Sequence, residues 1–148
     1  MKLWRLYRRA HGPGLDGSGG RHAAGRWHRQ GTPVVYFGAG AAIVVLEKLA
    51  HLNPDTLPND LVLGLFEANV SFEDGWPDTG KPARKLQEID ATQAIGQQWL
   101  ASSRSCVLRV PSIVVPEEHN LVFNPQHPQA SRLQLVTERS FAFDGRLL

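Results

Sequence analysis

The stretch VVYFGAGAAIVVLEKLAHLNP, residues 34–54, predicts a short buried strand followed by a helix. Its first four residues are β-branched or aromatic, which is typical of a strand. Glycines at positions 38 and 40 interrupt the apolar run. We therefore expect a helix over residues 41–52, ended by Asn53-Pro54.

One carboxylate, Glu47, lies in the most apolar part of that helix. At helical spacing Glu47 shares a face with Ile43, Ala50 and His51. A carboxylate on an apolar face costs free energy unless it is paired or solvated in a cleft, so Glu47 is a candidate functional residue. The simpler alternative is that its side chain reaches the rim of the helix beside Lys48.

The segment before this unit predicts a strand and then a glycine-dense loop. Residues 3–7 alternate in the manner of a strand. Residues 12–25 are rich in glycine and lead to Arg26 and Trp27. The loop matches neither a P-loop, because no Gly-Lys-Ser/Thr follows, nor a dinucleotide fingerprint, because no strand-to-helix unit surrounds it.

The remainder of the chain predicts one more helix among several short strands. We expect strands at residues 61–68, 106–110, 113–115, 121–123, 133–137 and 141–143. Asp90 and Gln93 resemble a capping box and predict a helix that ends near Leu100, and residues 71–83 predict a long surface loop. Helices and strands do not alternate regularly, so the pattern predicts an α+β fold: a single domain, residues 1–148, with a mixed, mostly antiparallel sheet.

Composition excludes several classes of protein. A chain of 148 residues, 42% hydrophobic and 20% charged, suits one folded domain rather than a disordered chain. Its one cysteine, Cys106, excludes an internal disulfide, and none of the six histidines has the spacing of a metal-binding pair, so we expect no metal site. No bilayer-spanning segment or secretion signal is visible, and we expect a soluble cytoplasmic protein.

Basic residues are concentrated near the N-terminus. Residues 1–30 hold seven Lys and Arg side chains against one acidic residue, whereas the rest of the chain holds nine basic and thirteen acidic residues. An arginine-rich segment attracts phosphates, whether of a nucleotide or of a nucleic acid. The acidic remainder favours a small anionic ligand over a duplex, and a solvated basic surface is the simpler alternative.

Three further residues are candidates for a site. Arg26, in the flexible loop, is suited to clamp a pyrophosphate or to pair with a carboxylate. Tyr36, in an apolar strand, needs a partner for its hydroxyl or a cleft. Ser112 lacks a Gly-x-Ser-x-Gly setting, which favours a hydrogen-bonding group over a hydrolase nucleophile. The alternatives are a surface arginine stacked on Trp27 and an ordinary core tyrosine.

Several segments in order resemble the RES-domain family, the toxin half of a bacterial toxin–antitoxin class. The resemblance runs nearly from end to end and is carried by LWRL (3–6), DGSGG (16–20), GRWH (25–28), GTPVVY (31–36), LEKLAHL (46–52), IGQQWL (95–100), LRVPSIVVP (108–116), NLVFNPQHP (120–128) and FDGRL (143–147). The arginine, glutamate and serine that name the family correspond to Arg26, Glu47 and Ser112. Ala24 and His28 depart from the glycine and asparagine that the family usually has there.

The resemblance implies a fold similar to that of ADP-ribosyltransferases, with NAD⁺ as substrate in a central cleft. Family members break the nicotinamide–ribose bond of NAD⁺ or transfer ADP-ribose to a protein, and an Xre-like helix-turn-helix antitoxin holds them inactive. On this resemblance Glu47 stabilises charge on the ribose, Arg26 and Arg5 offset the pyrophosphate, Tyr36 stacks on nicotinamide, and Ser112 bonds the ligand or orients Glu47. The acceptor is left open among water, phosphate and a protein.

Two other hypotheses belong to different functional classes. The arginine-rich N-terminal segment, with aromatic residues Trp4, Tyr7 and Trp27, defines a nucleic-acid-binding module as the alternative to the toxin. Direct DNA binding is not expected of the toxin itself except through the antitoxin, and no membrane contact is expected. A third hypothesis is an inactive protein whose cleft only binds a second chain.

Overall fold

Seven strands form one sheet in this computed structural model, which describes residues 1–76 and 86–148. The strands are β1 Lys2–Arg8, β2 Val35–Gly38, β3 Leu61–Glu67, β4 Phe72–Asp74, β5 Val107–Pro111, β6 His119–Phe123 and β7 Gln134–Ser140. Their spatial order is β4-β5-β6-β2-β1-β3-β7. Neighbouring strands are antiparallel except β4 and β5, which are parallel. The predicted mixed, mostly antiparallel sheet is confirmed.

Residues 1–76 and 86–148 contain three α-helices beside the sheet: α1 Ser18–His22, α2 Ala41–His51 and α3 Ile89–Ser102. The α2 helix begins and ends within one residue of the predicted helix. The α+β class is therefore confirmed. Among the described residues, no helix combines the length and the apolarity needed to cross a membrane.

Both faces of the sheet are covered, as the alternation along β1 predicts. Leu3 and Tyr7 belong to one buried cluster with Phe37 and Phe66, and Leu6 belongs to another on the opposite side of the strand. Because successive side chains of a strand point to opposite faces, this division follows directly from the sequence order.

The two central strands separate soon after they meet. Among the described residues β1 and β2 pair at a single position, Trp4 opposite Gly38, whereas β1 pairs with β3 from Lys2 to Arg8. Arg5 bridges the gap, since its Nη1 donates to the carbonyl oxygen of Tyr36 at 2.7 Å. The gap between these strands is where a cavity opens.

Helix α3 holds the glycine loop against the sheet at one close approach. A Cβ on Gly96 would lie 1.6 Å from the carbonyl oxygen of Trp27, so only glycine fits there. On the same helix, Thr92 Oγ1 donates to the Arg26 carbonyl at 2.5 Å and Gln93 Nε2 donates to the Gly25 carbonyl at 3.0 Å. These contacts fix the backbone on both sides of the Arg26 side chain.

Two predicted strands are wrong. Residues 113–115 form a bend, because the Ser112 hydroxyl accepts hydrogen bonds from the amides of Val114 and Val115 at 3.0 and 3.1 Å. Residues 141–143 have no strand assignment; Phe141 and Phe143 instead pack edge to face, 5.2 Å apart, against the cluster that holds Leu6. Both segments have the apolar character of strands, but neither has a ladder partner in the part of the chain that the structure describes.

Three other predictions are corrected in part. The predicted loop over residues 71–83 contains β4, and its residues 77–83 lie outside the described part of the chain. The glycine loop contains the short helix α1. The capping box is wrong, because α3 follows Glu88, which makes no side-chain cap, and Asp90 already lies in its first turn.

Candidate functional site

A cavity of about 490 Å³ lies over the gap between β1 and β2. This volume is within the range of small-molecule sites. The described lining residues that carry polar or charged groups or aromatic rings are Trp4, Arg5, Arg26, Trp27, Tyr36, Phe37, Glu47, Lys48, His51 and Asn120. Four of the five predicted site residues, Arg5, Arg26, Tyr36 and Glu47, thus line one cavity.

Glu47 is held in place through one of its two carboxylate oxygens. Its Oε1 accepts hydrogen bonds from Ser112 Oγ at 2.5 Å and from Asn120 Nδ2 at 2.8 Å. Its Oε2 lies 3.9 Å from His51 Nε2, one helical turn away, and accepts no hydrogen bond from the described residues. The side chain is 18% exposed. The carboxylate is therefore fixed in orientation with one oxygen open to a ligand.

Ser112 lies behind Glu47 and outside the cavity lining. It is fully buried, and its hydroxyl both donates to Glu47 and accepts the amides of Val114 and Val115. The turn that ends β5 and the orientation of the carboxylate thus depend on one hydroxyl group. Of the two roles expected for Ser112, this geometry matches the orienting one.

Tyr36 and His28 form a hydrogen-bonded pair beneath the glycine loop. Tyr36 Oη lies 2.7 Å from His28 Nδ1 and accepts from the amide of Trp27 at 3.1 Å. His28 Nε2 lies 2.9 Å from the Ala23 carbonyl oxygen. Because a carbonyl can only accept, Nε2 carries the proton, and Nδ1 accepts from the Tyr36 hydroxyl. Burial raises the pKa of Tyr36, so that hydroxyl stays neutral.

Gly25 lets the loop approach this pair. A Cβ on Gly25 would lie 2.7 Å from Tyr36 Oη and 2.9 Å from His28 Nδ1. The buried His28 therefore ties the loop to β2. Sequence reasoning did not single out His28 as a site residue.

The cavity is rich in positive charge. Arg26 Nη1 lies 3.4 Å from the carbonyl oxygens of Leu86 and Gln87, and Arg5 donates to the carbonyl oxygens of Pro13 and Tyr36. Burial lowers the pKa of Arg5 to about 10, which leaves it charged at neutral pH. With Lys48 also present, and with Glu47 the single carboxylate of the described lining, the formal charge of the lining is +2.

Two lining residues, Lys48 and Asn120, were missed by the sequence analysis. Lys48 follows Glu47 directly and lies one turn after Val44, so the cavity faces the stripe Val44, Glu47, Lys48 and His51 on α2. The spacing of that stripe is visible in the sequence. The sequence analysis grouped Ile43 and Ala50 with Glu47, whereas Ile43 is buried in the structure. Asn120 reaches Glu47 only because β6 pairs with β2 opposite Gly38, a long-range register that carries no local signal.

Titratable clusters of the kind that bind metals are not found in the described part of the chain. No group of three or more His, Cys, Asp or Glu side chains converges there. The one cysteine, Cys106, is buried, and burial raises the pKa of its thiol to about 11.

Comparisons with known proteins agree with the fold and identify the family. The family model described as RES domain matches residues 2–144. A Pseudomonas putida protein named Toxin Res is 34% identical over 149 residues, covering 99% of each chain. A Sphingobium protein named Prs ADP-ribosylating toxin is 33% identical over 142 residues, covering 90% of this chain and 86% of its own. The chain belongs to the RES-domain family of toxins.

A solved structure shares the fold. The crystal structure of the M. tuberculosis MbcT–MbcA toxin–antitoxin complex contains a chain that superposes with a TM-score of 0.76 at 19% identity, covering 95% of this chain and 83% of that one. At this identity the likeness concerns the architecture of the sheet and helices.

Proposed function

We propose that this protein is a toxin enzyme that binds NAD⁺ in the cavity and breaks its nicotinamide–ribose bond. The observation that carries the proposal is the fixed carboxylate of Glu47, with Oε1 held by Ser112 and Asn120 and Oε2 open to the cavity. The ADP-ribosylating activity in the name of the Sphingobium relative supports the same chemistry.

The reaction develops positive charge where Glu47 can stabilise it. The bond from nicotinamide nitrogen to ribose C1′ breaks, its electron pair leaves with nicotinamide, and the ribose becomes cationic, as in glycoside cleavage. A carboxylate already fixed in orientation stabilises that charge without reorganising. Nicotinamide leaves as a neutral molecule, so no general acid is required.

The remaining lining groups match the other parts of the dinucleotide. A lining charge of +2 complements the two negative charges of a diphosphate, and Arg5 and Arg26 are the candidate ligands for it. Tyr36 offers an aromatic face for the nicotinamide ring. The ribosyl acceptor is water, phosphate or a protein side chain, and product analysis distinguishes them.

Release of nicotinamide is the test of this activity. The purified protein, free of any partner, is incubated with NAD⁺, and free nicotinamide is measured by chromatography. We expect Glu47→Gln to lower the rate about a hundredfold to a thousandfold, because one preorganised group contributes about 3–4 kcal/mol. Glu67→Gln is the matched control, since Glu67 is exposed on β3. No nicotinamide from the wild type, and no labelled target protein, would refute the proposal.

We further propose that a protein antitoxin of the Xre-like helix-turn-helix type keeps the enzyme inactive. The structural neighbour was solved as a toxin–antitoxin complex, which supports an antitoxin as partner, and the resemblance to the family suggests the helix-turn-helix type. Expression of the wild type alone should arrest growth, and co-expression of a helix-turn-helix gene found beside it should relieve the arrest. Equal growth arrest by Glu47→Gln would instead support the inactive-protein hypothesis.

The nucleic-acid hypothesis gains no support from three of the seven basic residues of the N-terminal segment. Arg5 and Arg26 line the cavity, and Arg8 pairs with Asp60 at 2.7 Å. These cations do not form a common exposed surface for a phosphate backbone. We expect filter binding of RNA or DNA to be weak at low salt; tight binding that falls steeply with salt would revive that hypothesis.

A further inference from the structure

Lys48 lies half-buried on the face of α2 that lines the cavity. Val44, Glu47, Lys48 and His51 follow the i, i+3, i+4, i+7 spacing of one helical face, and all four line the cavity. The side chain of Lys48 therefore shares this space with the open oxygen of Glu47.

The charges around Lys48 are positive. Burial lowers the pKa of Lys48, and the neighbouring guanidinium groups of Arg5 and Arg8 lower it further. Arg8 has its own counter-charge in Asp60, at 2.7 Å. Within the described residues, Arg5 donates to two neutral carbonyl oxygens, those of Pro13 and Tyr36.

Neither Lys48 nor Arg5 forms an ion pair with a carboxylate of the described residues. Two neighbouring cations that are partly desolvated repel each other and lack a compensating charge. An anion bound between the two side chains offsets their mutual repulsion and supplies the missing compensating charge. The arrangement is thus suited to a ligand that brings negative charge into the cavity.

We propose that Lys48, together with Arg5, forms the subsite for the diphosphate group of the dinucleotide. This rests on the proposed function, which makes NAD⁺ the substrate, and it assigns to Lys48 a role in binding rather than in bond cleavage. Lysine acts toward phosphate as a point charge, and the guanidinium adds directed donors, so the two together can hold both phosphates.

The test measures binding in the full-length Glu47→Gln variant, which does not turn the ligand over. ADP-ribose, adenosine and inorganic pyrophosphate are titrated by calorimetry. Adding Lys48→Gln should weaken ADP-ribose binding about tenfold to a hundredfold, the range of a charge-assisted hydrogen bond, and leave adenosine binding unchanged. Lys48→Arg should retain most of the affinity, and Lys2→Gln, at an exposed lysine of β1, should have no effect.

Three other results of these titrations would contradict the proposed subsite. Unchanged ADP-ribose affinity in Lys48→Gln, or an equal loss for adenosine, means that Lys48 does not contact the diphosphate. If Lys48→Gln loses affinity for pyrophosphate but keeps its affinity for ADP-ribose, Lys48 binds a free anion and not the diphosphate of a dinucleotide. Nicotinamide release by the Glu47-intact protein tests the proposed function separately, so the subsite can fail while the activity stands.

Discussion

The hydroxyl of Ser112 donates a 2.5 Å hydrogen bond to Glu47 Oε1 across 65 positions of sequence. The same hydroxyl accepts the amides of Val114 and Val115 and thereby turns the chain away from the end of β5. Ser112 and Glu47 thus form one contact, in which the serine hydroxyl holds one oxygen of the carboxylate.

Ser112→Ala should separate positioning from catalysis. The change leaves two backbone amides without their acceptor, so we expect the free energy of unfolding to fall by about 1–3 kcal/mol. Loss of the hydrogen bond also lets the Glu47 carboxylate move. Because small displacements of a catalytic group slow a reaction strongly, kcat for NAD⁺ cleavage should fall about tenfold to a hundredfold. Denaturant unfolding and nicotinamide release measure the two effects. Full activity in the variant would show that Asn120 alone orients Glu47.

His28→Leu should loosen the loop that carries Arg26. Leucine cannot accept from Tyr36 Oη or donate to the Ala23 carbonyl, and each buried group left unpaired costs about 1–3 kcal/mol. His28→Asn, which retains one donor and one acceptor, should recover part of the loss. Thermal unfolding of the two variants checks this. Equal stability of His28→Leu and the wild type would mean that these two hydrogen bonds do not stabilise the fold.

Gly96→Ala should destabilise the protein although alanine is the better helix former. Its Cβ would meet the Trp27 carbonyl oxygen at 1.6 Å, and overpacking of this kind costs about 1–3 kcal/mol or more. Gly19→Ala is the matched control, because Gly19 is also helical and its Cβ meets nothing within 4 Å. Urea unfolding should separate the two variants, and equal midpoints would mean that the loop moves away freely.

Tyr7 should make the protein sensitive to alkali. Burial, and then the hydrogen bond to Glu138, raises the pKa of Tyr7 to about 12, whereas an unfolded tyrosine titrates near 10. The folded state therefore binds this proton more tightly than the unfolded state does. The contribution of the protonated Tyr7 to the free energy of unfolding is thus complete below pH 10 and is lost as the pH rises toward 12.

The Tyr7→Phe variant isolates that contribution. Between pH 10 and pH 12 the wild type should lose roughly 2 kcal/mol more free energy of unfolding than the variant does. Parallel stability curves for the two proteins over this interval would show that Tyr7 titrates normally in the folded state.

The strand and helix over residues 34–52 were predictable because local pattern and long-range packing agree there. The strand has two covered faces, and the helix has clear breakers at both ends. The predicted strand at 133–137 falls short of β7, which continues to Ser140 because it pairs with β3. The three-residue strand β4 depends on its parallel pairing with β5, and this pairing leaves no periodicity in the sequence.

The candidate site was predictable where a residue type was out of place. Glu47 among apolar neighbours and Arg26 in a glycine loop both drew attention for that reason. Asn120 and His28 did not, because an asparagine at a strand end and a histidine after a tryptophan are ordinary locally. Their importance comes from partners that the strand register and the α3 contacts bring to them.

A crystal structure of the Glu47→Gln variant soaked with NAD⁺ would show where the substrate lies relative to position 47. We expect the dinucleotide in the cavity between β1 and β2, with its nicotinamide ribose against position 47 and its diphosphate between Arg5 and Lys48. An empty cavity at saturating NAD⁺, or a dinucleotide bound elsewhere on the protein, would contradict the account.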